Sequence, residues 1–288
     1  MNFAFNELTI VLVIFEEKKD LLFKCLENIK NFKIIIVDNG RNTKLKSQVE
    51  KKFNIDKYIL NSKNYGFTKA ANQAIKLCNT DYILNINADC FISEKDILLL
   101  IKTHQNYNNC FIATPTLYNN NLELTYNSDS FFEKNLEKKI LNFEGDVCVD
   151  TVLGSVILFK KKDIIDLGLL DENMFLYFVD SDLCRRAKQN NKSVIQVYNV
   201  KAQHQHGQSK VKNVFKRTFL RSYHFTYDEL YYYYKINKHH EKYINLKKKL
   251  RSYIIKLVFN FITLRFDKSV HFFSMIKAFY DFDRLIKK

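Results

Sequence analysis

The chain has no Trp, a single Pro and only six Gly in 288 residues. It therefore contains no Pro-rich or Gly/Ser-rich linker, and no internal repeat is visible. Six cysteines (Cys25, Cys78, Cys90, Cys110, Cys148 and Cys184) include no CxxC pair and no even framework. That excludes a disulfide scaffold and predicts buried free thiols in a reducing, cytosolic compartment. No H-E-x-x-H, Walker A or GxGxxG motif occurs, so zinc-hydrolase and dinucleotide readings lack support. No basic segment precedes the short apolar run after Glu7, and no signal peptide is expected. The most apolar tail segment, SYIIKLVFNFITL (252–264), is only 13 residues long. A bilayer span needs about 20.

What is present points to a folded, charge-segregated chain. Hydrophobic residues make up 47%, enough for a sizeable core and against wholesale disorder. Abundant Asn, Lys, Ile and Phe resemble an AT-rich bacterial coding bias. The net charge of +15 is uneven: residues 210–288 hold 19 Lys and Arg against 6 Asp and Glu, leaving 27 against 25 for residues 1–209. A near-neutral body with a strongly basic tail predicts a polyanionic partner, either nucleic acid or an anionic membrane surface.

Short β-branched runs alternate with helical spacing in the first third. LTIVLVIF (8–15), KIIIVDNG (33–40) and DYILNINAD (81–89) read as strands, as does a short run near 57–60. Helices are predicted over 19–30 and from about Gly66 to Leu77. This alternation predicts an α/β fold with a mainly parallel sheet covered on both faces. Such sheets bind ligands beyond the C-terminal ends of their strands, which puts Asp38, Asn87 and Asp89 on one rim. The pattern loosens over 110–145. A strand is expected at VLGSVILF (152–159) and a helix over Leu183–Asn190, with Asp180 or Asp182 as its N-cap.

Several polar groups stand where chemistry would need them. Asp38, in VDNG, suits a ribose hydroxyl or base N–H, although taken alone the motif more often marks a plain strand-to-helix turn. Asn87 and Asp89, in NADC, suit Mg or Mn against a diphosphate, because these ions take one or two carboxylates when phosphates supply the rest. They suit a simple turn cap as well. Asp180 and Asp182 lie two apart and do not share a helix face, so they are not a paired dyad. His204 and His206, in HQHGQS, offer a metal ligand or surface imidazoles.

The order of these pieces resembles the family 2 glycosyltransferases, closest to the rhamnosyltransferase-like branch. The segments that carry the resemblance are IIIVDNG, NYGFTKAANQAI (64–75), LNINADC, GSVILFKKKDIIDLGLLDENMFLYFVDSDLCRR (154–186) and HQHGQS, spanning about residues 8–209. It implies a GT-A fold, a UDP- or dTDP-sugar donor, a divalent cation (Mn or Mg) and inversion at the anomeric carbon. It assigns Asp38, Asn64, Gly66, Asn72 and Asn87 to the nucleotide and donor, Asp89 and His204 to the metal, and Asp180 to the catalytic base. Gly154, Asp171, Glu172 and Asp182 fall to the acceptor side or to support. Three positions depart from the family pattern: Asn87 replaces the first acid of DxD, Val179 stands in place of a Glu, and Phe15-Glu16 replaces Tyr-Asn.

The resulting expectation is a catalytic domain over 1–209 and a basic amphipathic helical extension over 210–288. In the tail, Val211, Phe215, Phe219, Tyr223, Tyr227, Leu230 and Tyr234 form one stripe, which favours burial over base stacking and argues against nucleic acid. The tail is expected to lie on the anionic cytoplasmic face of the inner membrane, or else to pack on the catalytic domain or a second subunit. The acceptor is then a glycan or lipid-linked glycan of bacterial surface polysaccharide or lipooligosaccharide synthesis. The rival readings are an inactive nucleotide-binding scaffold and a nucleic-acid-binding tail.

Overall fold

A computed structural model of the chain describes residues 7–121, 123–125, 144–205 and 213–287. The chain forms two compact units, Met1–Leu170 with Asp180–Lys210, and Asp171–Val179 with Val211–Lys288.

The first unit opens with β1 (Leu8–Ile14), α1 (Lys19–Ile29), β2 (Lys33–Asp38), α2 (Thr43–Lys52), β3 (Lys57–Leu60) and α3 (Phe67–Leu77). It continues through β4 (Tyr82–Ile86), β5 (Cys90–Ile92), α4 (Glu94–Asn106), β6 (Cys110–Tyr118), β7 (Leu124–Thr125) and β8 (Val147–Cys148). It closes with β9 (Val156–Lys160), α5 (Lys161–Asp166), α6 (Val179–Gln189) and β10 (Ser193–His204). The sheet order is β3-β2-β1-β4-β9-β6-β10-β5, with β7 on β6 and β8 on β10. Strands β1, β2, β3, β4, β6 and β10 run one way, while β9 and β5 run against them. The sheet is mixed but mostly parallel, as the alternation predicts.

Burial explains why these segments choose these states. Ile10, Leu12, Ile34, Ile36 and Leu84 have no measurable exposure, so both the strand period and the flanking helices are spent on one core. Truncating any one of them to Ala costs about 2–5 kcal/mol. Helix α1 buries Leu22, Cys25, Leu26 and Ile29 at helical spacing. Helix α3 buries Ala70, Ala71 and Ala74, small side chains that let it lie close to the sheet. Five of the six cysteines are buried; Cys148 is exposed.

Three boundaries that bear on the site differ from the sequence expectation. Strand β4 stops at Ile86 rather than Asp89, because Asn87–Asp89 form the turn into β5. Strand β9 begins at Val156, four residues late, and leaves Gly154 and Ser155 in the preceding loop. Helix α6 begins at Val179, so Asp180 and Asp182 both lie inside its first turn and neither is its N-cap.

The second unit holds α7 (Val214–Ile236), α8 (Glu241–Ile262) and α9 (Phe266–Ile286) together with the segment Asp171–Val179. The aromatic stripe of α7 packs within this unit from Phe219 onward, while Phe215 is exposed and Val211 lies outside the described residues. Phe219, Tyr223 and Tyr227 stack in series, and Tyr227 and Tyr234 meet Phe282 of α9 edge-on. Asp228 has no exposure and accepts the backbone N–H groups of Phe175, Leu176 and Tyr177, each at 2.9 Å. Burial pushes its carboxyl up to about 6 against the pull of those three donors.

His224 stacks on Phe175 with ring centroids 3.5 Å apart, and burial lowers its pKa from 6.5 to about 4. An unfolded chain protonates the same imidazole near the ordinary value, so on acidification the unfolded state takes up the proton first. The stability this site contributes is complete above pH 6.5 and lost as pH falls toward 4. His224→Phe keeps a stacked ring and removes the titration. The thermal midpoint of the parent is expected to fall more steeply than that of the variant across this window; parallel curves would refute the assignment.

Candidate active site

The strand directions gather the polar residues on one edge of the sheet. Asp38 ends β2, the Asn87–Asp89 turn follows β4, and His204 ends β10. Strand β9 is antiparallel to β4, so the loop before it, with Gly154 and Ser155, reaches the same rim.

At the β2 corner, Asp38 is almost fully buried and its carboxylate is already engaged. It accepts Gly40 N–H at 2.6 Å, the Tyr58 hydroxyl at 3.0 Å and Asn42 N–H at 3.4 Å. Gly40 lies so close to the turn after β1 that a Cβ there would come within 2.9 Å of the Glu16 nitrogen. Asn39 donates to the Gly66 carbonyl at 3.0 Å and accepts from Asn61 at 2.9 Å. Asn64 in turn accepts Gly66 N–H at 2.9 Å. Asp38, Asn64 and Gly66 thus belong to one hydrogen-bonded corner. Asn72 has a different position: its amide clamps the Leu170 backbone, donating to the carbonyl at 2.9 Å and accepting the N–H at 3.1 Å.

At the centre of the rim, β5 pairs antiparallel with β10 and sets Cys90 opposite His204. Gln205 N–H donates to the Asp89 carbonyl at 2.9 Å, which fixes the turn. His204 Nε2 then lies 3.4 Å from Asp89 Oδ1, both side chains partly exposed. Ligand atoms of Asp89, Cys90 and His204 all fall within 4.8 Å of one another. Burial, with Asp89 adding to it, pushes the Cys90 thiol well above its ordinary value, so the thiolate is disfavoured. The available set is therefore a carboxylate oxygen and an imidazole nitrogen, which fits a hard or borderline divalent cation better than a thiolate metal site. His206 lies outside the described residues.

Glu17, in the loop after β1, is a candidate site residue that the motifs missed. Burial, with the Asp89 charge adding to it, pushes its carboxyl from 4.5 up to about 7. Its place just beyond the C-terminal end of a rim strand was the available signal.

Asp180 joins this arrangement through the β9 loop. Gly154 N–H donates to its Oδ2 at 3.0 Å and Ser181 N–H to its Oδ1 at 2.9 Å. The neighbouring Ser155 carbonyl accepts Asn87 N–H at 2.9 Å. Burial raises the Asp180 carboxyl above its ordinary value although the two N–H groups pull the other way. Val179 is buried and contributes no charge. Asp182 is a support residue in geometry: it is buried and pairs with Arg186 at 2.8 Å, while Arg186 also donates to the Leu167 carbonyl at 2.8 Å. Asp171 and exposed Glu172 belong to the second unit. Asp171 accepts Lys235 at 2.7 Å and Tyr231 at 3.1 Å. Burial opposes its charge, but Lys235 and the Asn173 amide groups outweigh this and hold it below the ordinary carboxylate value.

Comparison with known proteins identifies the lineage of this arrangement. The family model described as Glycosyl transferase family 2 matches residues 9–168, more than half of the chain. The chain belongs to glycosyl transferase family 2. Among curated relatives of this glycosyltransferase, the low-salt glycan biosynthesis hexosyltransferase Agl10 of Haloferax volcanii is 24% identical over 210 residues, 69% of this chain and 67% of that protein. The rhamnosyltransferase WbbL of Escherichia coli K12 is 25% identical over 201 residues, 61% of this chain and 75% of that one. Two solved structures share the GT-A fold at low identity. GalNAc-T7, crystallised with UDP, GalNAc and Mn2+, gives a TM-score of 0.56 at 12% identity over 77% of this chain and 49% of its own, so about half of its length is matched. The mannosyltransferase PcManGT from Pyrobaculum calidifontis, in complex with GDP-Man and Mn2+, gives 0.52 at 11% over 76% of this chain and 62% of its own. Asp180 and His204 lie beyond the 9–168 match, and the β9 loop and β10 carry them to the rim within the same sheet.

The glycosyltransferase depends on Gly66 for the Asn39–Asn64 corner. Its φ of 86° and ψ of 171° lie in a region that only glycine occupies at ease. Gly66→Ala is expected to cost about 1–3 kcal/mol, against about 1 kcal/mol for Asn64→Ala, which removes one hydrogen bond. Denaturant midpoints of the two variants would check the order.

Proposed function

We propose that this family 2 glycosyltransferase is inverting and cation-dependent, moving a sugar from a UDP- or dTDP-sugar to a hydroxyl of a glycan or lipid-linked glycan. The observation that carries the reading is the shared rim, where Asp89 lies 3.4 Å from His204 and Asp180 is held by the loop that bonds Asn87. Manganese in the two structural relatives supports a cation here. Glycan biosynthesis in the name of Agl10 and rhamnosyl transfer in that of WbbL support a role in glycan assembly, and the proposed setting is bacterial surface polysaccharide or lipooligosaccharide synthesis at the cytoplasmic face of the inner membrane.

Asp180 acts as the base. Its carboxylate takes the proton of the acceptor hydroxyl as that oxygen attacks the anomeric carbon and the bond to the nucleoside diphosphate breaks. Burial alone raises its proton affinity, which replaces the like-charge effect that a Glu at position 179 would supply. Asp89 and His204 would hold Mn or Mg, which would supply charge neutralisation at the departing diphosphate. The corner of Asp38, Asn64 and Gly66 with half-buried Asn87 forms the donor side, and Asn72 acts at one remove by fixing Leu170. Gly154 and Asp182 hold the base and its helix. The nucleic-acid reading loses its aromatic surface, because Tyr232 and Tyr233 are buried and Tyr231 and Tyr234 half-buried.

A donor panel of UDP-, dTDP- and GDP-sugars with Mn or Mg, read by thermal shift and donor consumption, tests the roles separately. Asp89→Ala is expected to lose the cation-dependent shift. Asp180→Asn is expected to keep that shift and lose turnover by about 10²–10⁴-fold. Full turnover in Asp180→Asn, or an unchanged shift in Asp89→Ala, would sink the assignments.

A further inference from the structure

The end of α8 and the turn into α9 present an apolar surface that none of the described residues covers. Between Ile254 and Ile262 every exposed side chain except Lys256 is apolar. Val258, Phe259 and Phe261 are more than half exposed, while Ile255, Ile262 and the turn residue Leu264 reach 70%, 72% and 72%. In the first unit exposed large hydrophobics occur singly, as at Leu77 and Tyr107. The inward side of α8 is already committed: Tyr253 meets Phe272 and Phe279 of α9, and Asn260 is buried. A contiguous apolar patch left in water marks a surface with an occupant.

Charge selects the occupant. Residues 247–268 contain seven Lys or Arg against one acid, Asp267. Exposed Arg251, Lys256 and Arg265 flank the apolar tip. An isologous contact with a second copy would bring these like charges together. An anionic lipid surface offers acyl chains to the apolar residues and phosphates to the cations. No helix among the described residues is long and apolar enough to cross a membrane, so the contact is interfacial. The first half of α8 exposes Asn245 and Lys247–Lys249 with a single large apolar residue, Ile244 at 38%, so the far end is the part suited to enter lipid.

We infer that the α8–α9 tip is a membrane-docking surface that sinks its apolar residues into the interface of an anionic bilayer while its cations engage headgroup phosphates. This names the part of the basic extension that makes contact. It rests on the second unit alone and stands apart from the assignment of the glycosyl-transfer residues.

Flotation of the full chain with vesicles of phosphatidylcholine, or of phosphatidylcholine with phosphatidylglycerol, tests it. Binding is expected only to the anionic vesicles and is expected to weaken with salt. The double variant Phe259→Ser with Ile262→Ser should bind at least about tenfold more weakly. Lys256→Glu with Arg265→Glu should lose about fivefold or more per site. All four side chains are exposed, so an unchanged far-UV spectrum and unchanged donor-dependent thermal shift would show that the fold and the first unit are intact. Binding that both double variants retain in full would overturn the inference, as would equal binding to neutral vesicles. Absence of vesicle binding, with a dimer that Phe259→Ser and Ile262→Ser dissolve, would overturn it in favour of a second copy.

Discussion

Strand β9 enters the sheet from the opposite end to β4 and β6, between which it lies. In a parallel sheet every strand would deliver its C-terminal end to the rim. A reversed strand delivers its N-terminal end instead, and here that end carries Gly154 and Ser155. The ladder that pairs Ile86 with Val156 is continued by the bond from Asn87 N–H to the Ser155 carbonyl. The next residue, Gly154, donates to Asp180. The candidate base is thereby tied to the turn that holds the candidate cation ligand, although the two are far apart in the chain. If β9 slipped by one residue, the Gly154 N–H would leave Asp180 and every β9 side chain would change faces.

The carboxylates of the chain meet different fates because their partners differ. A buried charge is costly unless paired or hydrogen-bonded. Asp182 has Arg186, Asp38 has two N–H groups and a phenol, and Asp89 has an imidazole beside it. Among the described residues Asp180 has only neutral N–H donors, and burial outweighs them. Two residues of one helical turn, Asp180 and Asp182, thus end in opposite situations because they point to different neighbours. The same competition on Asp228 leaves its carboxyl near 6 despite three backbone donors.

The second unit shows how a basic tail becomes specific. From Phe219 onward its aromatic stripe is engaged in packing within the unit, while Phe215 stays exposed. Other exposed apolar residues are spread over α7 and α9, but the most exposed of them, Ile255, Ile262 and Leu264, gather at one end of α8, among cations. The chain also sends Asp171–Val179 into this unit, pinned by Asp228, before returning to the first unit at Asp180.

Fold class and family could be read from the chain alone. Those depend on local signals: strand runs followed by polar turns, helical spacing, and the order of short motifs. Asp38, Asp89, Asp180 and His204 were singled out by short motifs and by the family resemblance, and the structure places them at the end of β2, in the turn after β4, in the first turn of α6 and at the end of β10. Tertiary structure decided what local patterns cannot hold. The reversal of β9 and its late start depend on pairing with β4. The clamp of Asn72 on Leu170 spans 98 positions. The proton affinity of Glu17 depends first on its burial and then on Asp89 of the β4–β5 turn, and the ownership of Asp171–Val179 depends on a buried acid on α7. Whether an apolar residue of α8 ends inside or outside is likewise set by where α9 lies, not by its own neighbours in the chain.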